Sequence, residues 1–252
     1  MKKPLLNYTL AGSGKLVVFL HGFLENSSIW VSVTQQLPCK KLFIDLHGHG
    51  ASFFDENLPC SIENMAQQVA DVLAFEKLEN PIIIGHSMGG YVGLELFKKT
   101  HVKHLVLFHS HPWEDNLEKQ KDRERVAKMV LSHKTLFVNE AIPNLFYQKE
   151  KHLQIIEKYI QRACIMKAKA IAWSSLAMRN RTDNSNILIE QPSKFTVIAG
   201  TEDKLIPFEA MQKYCALNHV NLIAIKNTGH MSHVEKKDEL ANIFLELLSK
   251  NI

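Results

Sequence analysis

The sequence predicts an α/β fold: a doubly wound, mostly parallel sheet with helices on both faces. Three observations predict it. Short apolar runs alternate with longer stretches of helical period along most of the chain. The later runs are continuous in Val, Ile, Leu and Phe, as strands buried on both faces of a parallel sheet require. Directly behind the run Pro81–Ile84 comes Gly85-His86-Ser87-Met88-Gly89-Gly90, a strand–turn–helix sequence. At 252 residues the chain suffices for one such domain carrying an insertion.

In chain order, the expected strands are Leu5–Leu10, Leu16–Leu20, Lys41–Asp45, Pro81–Ile84, His104–His109, Phe195–Ala199 and Asn221–Ile225. The expected helices are Ser28–Leu37, Ile62–Leu78, Met88–Lys99, Pro207–Leu217 and Lys236–Lys250. The last carries Leu240, Ile243, Phe244, Leu247 and Leu248 at helical spacing, an apolar stripe for a core. From about His111 to Asn186 the pattern changes. No strand is expected there, and helical periods cover Lys119–His133 and Leu153–Arg179. Helices inserted after the carboxyl end of a strand would lie over a site as a cap. The expected division is therefore a core of residues 1–110 and 187–252 and a cap of residues 111–186.

Composition excludes several classes. No apolar run approaches the ~20 residues that span a bilayer. Met1-Lys2-Lys3-Pro4-Leu5-Leu6 lacks the apolar stretch of a secretory signal. Cys39, Cys60, Cys164 and Cys215 are scattered, the pattern of reduced thiols and a cytoplasmic location. Nothing suggests a nucleic-acid or membrane partner, and either a monomer or a homodimer is compatible with the chain. Thirteen histidines include the close pairs His47/His49, His101/His104, His109/His111 and His230/His233. None has acidic or thiol partners at metal-site spacing, so no metal is expected, and all but His230 read as turn and surface residues.

Gly85-x-Ser87-x-Gly89 between a strand and a helix puts Ser87 on a sharp, strained turn with its hydroxyl exposed. A serine hydroxyl becomes a nucleophile only beside a base, and that base needs an orienting acid. Asp203 follows the strand Phe195–Ala199, and His230 follows Asn221–Ile225, so all three sit at the carboxyl edge of the sheet. Glu202, Glu114 and Asp115 are alternative acids, and His233 an alternative base. Gly229 is expected to lend His230 loop freedom. An oxyanion hole would take the amide of Met88 and one from His21-Gly22-Phe23-Leu24, with Phe23 the candidate and Leu24 the alternative.

These pieces resemble the α/β-hydrolase fold superfamily, in its group of small serine esterases with a helical cap. The matching segments are His21-Gly22-Phe23, Asp45-Leu46-His47-Gly48-His49-Gly50-Ala51-Ser52, Gly85–Gly90, Gly200-Thr201-Glu202-Asp203 and Gly229-His230. His47 stands where that family commonly has proline. The resemblance implies a triad of Ser87, Asp203 and His230, an oxyanion hole at Phe23 and Met88, and no cofactor. It implies hydrolysis of a small carboxylic ester or thioester. A lyase, a carbon–carbon bond hydrolase and a ligand receptor are alternatives on the same scaffold.

The cap region offers the clue to substrate. Residues 111–186 hold fourteen Lys and Arg against nine Asp and Glu, whereas the whole chain nets only +4. Positive charge above the site would favour an anionic substrate or an acidic carrier protein; pimeloyl-acyl carrier protein methyl ester esterases resemble this arrangement. The composition favours the plainer reading, a solvated helix surface on which Lys119, Lys121, Arg123, Arg125 and Lys128 keep the cap soluble. Leu24, Trp173 and Met178 are candidate pocket residues, with Met129 and Met166 as further ones, unless they serve as cap core.

Overall fold

Residues 4–250 are described by a computed structural model. The expectation for Met1–Lys3 lies outside them. Seven strands form one sheet in the order β1-β3-β2-β4-β5-β6-β7. They are β1 (Tyr8–Ala11), β2 (Leu16–Leu20), β3 (Lys40–Ile44), β4 (Ile82–His86), β5 (His104–Phe108), β6 (Phe195–Gly200) and β7 (Asn221–Ile225). Only β1 is antiparallel, paired to β3 from Tyr8↔Ile44 to Ala11↔Lys41. That register starts the first strand later than Leu5. Leu6 instead tucks into the core before pairing begins.

The helices are α1 (Ile62–Phe75), α2 (Met88–Lys99), α3 (Leu117–Ala141), α4 (Leu153–Ile165), α5 (Ala168–Arg179), α6 (Ser185–Glu190), α7 (Phe208–Leu217), α8 (Ser232–Glu235) and α9 (Lys237–Ser249). Helices α1, α2 and α7 cover one face of the sheet, where Met65, Val69, Val92, Leu94 and Met211 are buried. Helix α9 covers the other, with Leu240, Phe244 and Leu247 packed beside Trp30. The stripe read in the sequence thus does face a core. Among the described residues no helix is long and apolar enough to cross a membrane. The four cysteines are free.

Two expected helices are not formed as drawn. Ser28–Leu37 is only a 3-10 turn over Ser27–Trp30 followed by further turns. Val31, Val33 and Thr34 are poor helix formers. The fully buried Trp30 is held by tertiary contacts to Phe19 (5.3 Å between ring centres) and Phe108 (5.8 Å). Leu153–Arg179 divides at Met166 and Lys167, which are both extended. The Lys134 ammonium donates to the carbonyls of Cys164 (2.6 Å) and Met166 (2.8 Å), satisfying the end of α4. Lys119–His133 lengthens to α3, capped by the Asn116 side chain and kinked at His133.

Phe244 touches both Trp30 and Phe108, with ring centres 6.4 and 6.1 Å away. Phe244→Ala is expected to cost about 3–5 kcal/mol of stability, measured by urea unfolding.

Candidate active site

The chain leaves β2 for β3 on one side, and β4 then returns to β2's other side. Such a reversal opens a crevice at the carboxyl ends of the two strands. Here the loop His21–Glu25 follows β2 and Ser87 follows β4, with Leu20 paired to Gly85. The ends of β6 and β7 carry Asp203 and His230 to the same edge.

Ser87 adopts φ 50° and ψ −114°, a left-handed conformation that costs a non-glycine residue about 1–3 kcal/mol. A Cβ on Gly85 would collide with the backbone of Gly89 and Gly90, and one on Gly89 with the Leu20 carbonyl. These glycines let strand and helix pass around the turn. The turn is fastened by Ser87 N–H donating to Phe108 O (2.9 Å) and by the Ser110 hydroxyl donating to Ser87 O (2.8 Å). Helix α2 starts at Met88, so the Met88 amide is a first-turn donor with no partner inside the helix. The Met88 side chain points into the core below. Ser87, Phe23, Leu24 and His230 line one cavity of about 330 Å³.

His230 Nδ1 donates to Asp203 Oδ2 at 2.8 Å. The same oxygen receives His109 Nδ1 at 2.8 Å, and Oδ1 accepts the amides of Leu205 (2.9 Å) and Ile206 (3.1 Å). Burial would raise the Asp203 pKa, but His230 and His109 outweigh it and hold the carboxyl well below its ordinary value. Burial pushes His109 down to about 4 despite Asp203. The neutral His109 ring therefore donates from Nδ1 and accepts the Ser232 hydroxyl at Nε2 (2.7 Å). The other acids lie elsewhere. Asp115 pairs with Arg181 (2.7 Å) and Arg123 (3.1 Å), Glu202 accepts from Thr201, and Glu114 is exposed. His233 belongs to α8 and bonds the Tyr159 hydroxyl at 2.9 Å.

Several sequence expectations need correction. Trp173 does not line the cavity: its indole donates to Leu58 O (2.8 Å) and its ring lies 4.8 Å from that of His47. Leu24 and Met178 do line it, joined by Tyr91, Val126, Phe137, Leu145 and Ile206. Met166 lines a separate groove, and Met129 a shallow surface on α3. Gly229 does not need a left-handed φ; a Cβ there would meet Leu145 O and Tyr147 N, both at 2.7 Å. The histidines are not mainly surface residues. His21, His47, His49, His86, His104, His109, His111 and His233 are all buried.

Among the described residues two clusters bring metal-ligand atoms within 4.8 Å of one another: Glu25/His86/His233 and His109/Asp203/His230. In the second, both histidines bond Asp203 Oδ2; in the first, only His86 bonds Glu25, while His233 Nε2 lies 3.6 Å from Glu25 Oε1 and bonds the Tyr159 hydroxyl. Glu25 and His86 were not singled out from the sequence. The signal was there: an acid three residues after Gly22 and a histidine beside Ser87.

A family model described as the alpha/beta hydrolase family matches residues 17–243. The chain belongs to this family. It is 31% identical over 148 residues to a pimeloyl-[acyl-carrier protein] methyl ester esterase of Pseudoalteromonas atlantica, a match covering 57% of this chain and 54% of that one. A putative esterase/lipase of Haemophilus influenzae is 24% identical across 100% of this chain and 91% of its own. The solved structure of a thermophilic esterase from Thermogutta terrifontis superposes with a TM-score of 0.89 at 25% identity, covering 98% of this chain and 93% of that one. Esterases recur among its relatives and structural neighbours.

Burial would raise the Glu25 pKa, but His86 beside it brings the carboxyl from 4.5 to about 2. In that interval the unfolded chain binds more protons than the folded one. The stabilisation from Glu25 is therefore complete above 4.5 and is lost as pH falls towards 2. Urea unfolding at stepped acid pH is expected to show a shallower acid decline in Glu25→Gln than in the wild type.

Proposed function

We propose that the protein hydrolyses a small carboxylic ester through a covalent acyl-enzyme. Ser87 is the nucleophile, His230 its base and Asp203 the acid that orients His230. What carries this reading is one arrangement: a serine on a strained left-handed turn shares a cavity with a histidine whose far nitrogen donates to a buried carboxylate. The Asp203 bond leaves His230 Nε2 as the basic nitrogen on the cavity side. His230 takes the Ser87 proton as the oxygen attacks the ester carbonyl. The amides of Phe23 and Met88 receive the oxyanion, and protonated His230 then releases the alcohol. Water enters by the same route in reverse and frees the acid. Helices α3 to α6 act as the cap, a reading supported by Val126, Phe137 and Met178, which bring apolar side chains to the cavity lining.

The cavity suits a small acyl group, being near the lower end of ligand-site volumes. Its mouth favours a substrate with a negative group away from the ester. Lys119 and Arg123 both line it, with Asp122 between them. Asp122 is paired to Arg125 at 2.9 Å. Arg123 gives only its Nε to Asp115 among the described residues. The methyl ester esterase relative, named for a carrier-bound acyl group, supports the same direction over the matched half.

A serine-directed phosphonate is expected to add its mass to Ser87. Ser87→Ala should take no adduct and lose turnover of a short-chain nitrophenyl ester by about 10⁴-fold or more. An adduct elsewhere, or unchanged turnover, would overturn the reading. For the charged mouth, Lys119→Glu with Arg123→Glu is expected to raise KM about tenfold for a monoester of a dicarboxylic acid, and less than about twofold for a neutral ester. Equal changes for both esters would contradict an anionic substrate.

A further inference from the structure

The histidines at the carboxyl edge differ in what their two ring nitrogens face. His21 is fully buried; Nδ1 donates to Gly22 O (2.8 Å) and Nε2 accepts the Leu46 amide (2.9 Å). One donor and one acceptor make a neutral ring, and burial lowers its pKa accordingly. His109 is wired the same way between Asp203 and Ser232. His86 is not. Its Nδ1 lies 2.7 Å from Glu25 Oε2, and its Nε2 lies 3.0 Å from the His230 carbonyl oxygen. The carbonyl can only accept, and Glu25 Oε2 already accepts the Gly22 amide while the carboxyl, its pKa held at about 2 by His86, is ionised. Only a ring protonated on both nitrogens satisfies them.

We propose that His86 is a standing imidazolium, paired with the Glu25 carboxylate, and that this pair positions the base and the oxyanion loop around Ser87. Three segments meet on it. Glu25 Oε2 also accepts the Gly22 amide at 2.7 Å, fixing the loop that presents Phe23. His86 precedes Ser87 in the chain. Its Nε2–H holds the backbone of His230. The pair fills the space beside Gly22, where a Cβ would come within 2.7 Å of Glu25 Oε2 and 2.9 Å of His86 Nδ1.

The other charged and titratable groups around His86 are compatible with the charge. Its ring centre is 4.9 Å from that of His230, 5.0 Å from His233 and 5.9 Å from His109. Burial holds His233 down to about 3 and His109 to about 4, so both are neutral near pH 7. Asp203 adds a second carboxylate field. Burial would lower the His86 pKa, but Glu25 more than offsets it and the pKa is raised. Glu25 is the partner that matters. An amide there offers one oxygen and no charge, so His86 sheds a proton. If it leaves Nε2, a lone pair faces the His230 carbonyl; if it leaves Nδ1, the lone pair faces the amide oxygen or, with the amide turned, its NH2, which then meets the Gly22 N–H. Either way one of the three ties is lost.

Glu25 and His86 are positioning residues for the hydrolysis proposed above, and their effect on rate rests on that reading. The protonation state does not. Long-range ¹H–¹⁵N spectra of histidine-labelled protein, with His86→Gln for assignment, are expected to show both His86 nitrogens protonated from mildly acid to mildly alkaline pH. In Glu25→Gln one nitrogen should lose its proton. The same variant should label Ser87 with phosphonate, and turn over ester, about ten- to a hundredfold more slowly, with KM changed less than about twofold. An unprotonated His86 nitrogen in the wild type at neutral pH would overturn the proposal, even if the variant fails to fold. So would wild-type labelling rates in Glu25→Gln. Wild-type protein that never labels at Ser87 would tell against the hydrolase reading instead, and the nitrogen spectra would still decide the imidazolium.

Discussion

At the end of β4 the backbone turns through a left-handed Ser87, and this turn forces β2, β4 and α2 closer than side chains permit. Gly89 rests against the Leu20 carbonyl, pressing the start of α2 onto the end of β2. The first-turn amide of α2 and the loop after β2 are thereby brought to the same place. Strain of this kind persists only where surroundings hold it. Here Phe108 O and the Ser110 hydroxyl hold Ser87 from β5 and the loop beyond it. The position of the nucleophile candidate is thus a property of three strands rather than of one loop.

Around that turn the carboxyl edge is polar yet buried. Two carboxylates organise it, Asp203 with His230 and His109, and Glu25 with His86 and the Gly22 amide. Burying a carboxylate is costly unless its oxygens are bonded; both Asp203 oxygens are bonded to imidazole or backbone donors, and Glu25 Oε2 to His86 and the Gly22 amide. The cost is consistent with a site that must hold a histidine in one orientation and one tautomer.

Much of this was legible in the sequence. The central strands were found because each is a continuous apolar run, and the elbow because Gly85 and Gly89 flank Ser87 at the needed spacing. Asp203 and His230 stand out because each lies just past a late strand, and a 2.8 Å hydrogen bond joins them. What was missed depends on contacts distant in the chain. The break at Met166–Lys167 is satisfied by Lys134, about thirty residues earlier. Trp30 is fixed by aromatic rings from β2 and β5, so a helix there gives way to a 3-10 turn. Buried histidines such as His104, His109 and His111 read as surface residues because their partners Thr196, Asp203 and Tyr91 are distant in the chain. Trp173 and Phe137 differ in whether they face the cavity, and that depends on how α3 and α5 cross over it.

The most direct test is a crystal structure of the protein after reaction with a serine-directed phosphonate. The central claim is that the nucleophile, base and two amides converge on one point. The phosphorus is expected on Ser87 Oγ, one phosphoryl oxygen within hydrogen-bond distance of the Phe23 and Met88 nitrogens, and His230 Nε2 beside the oxygen of Ser87 or the leaving group. Phosphorus on another residue, or a phosphoryl oxygen turned to solvent away from both amides, would contradict it.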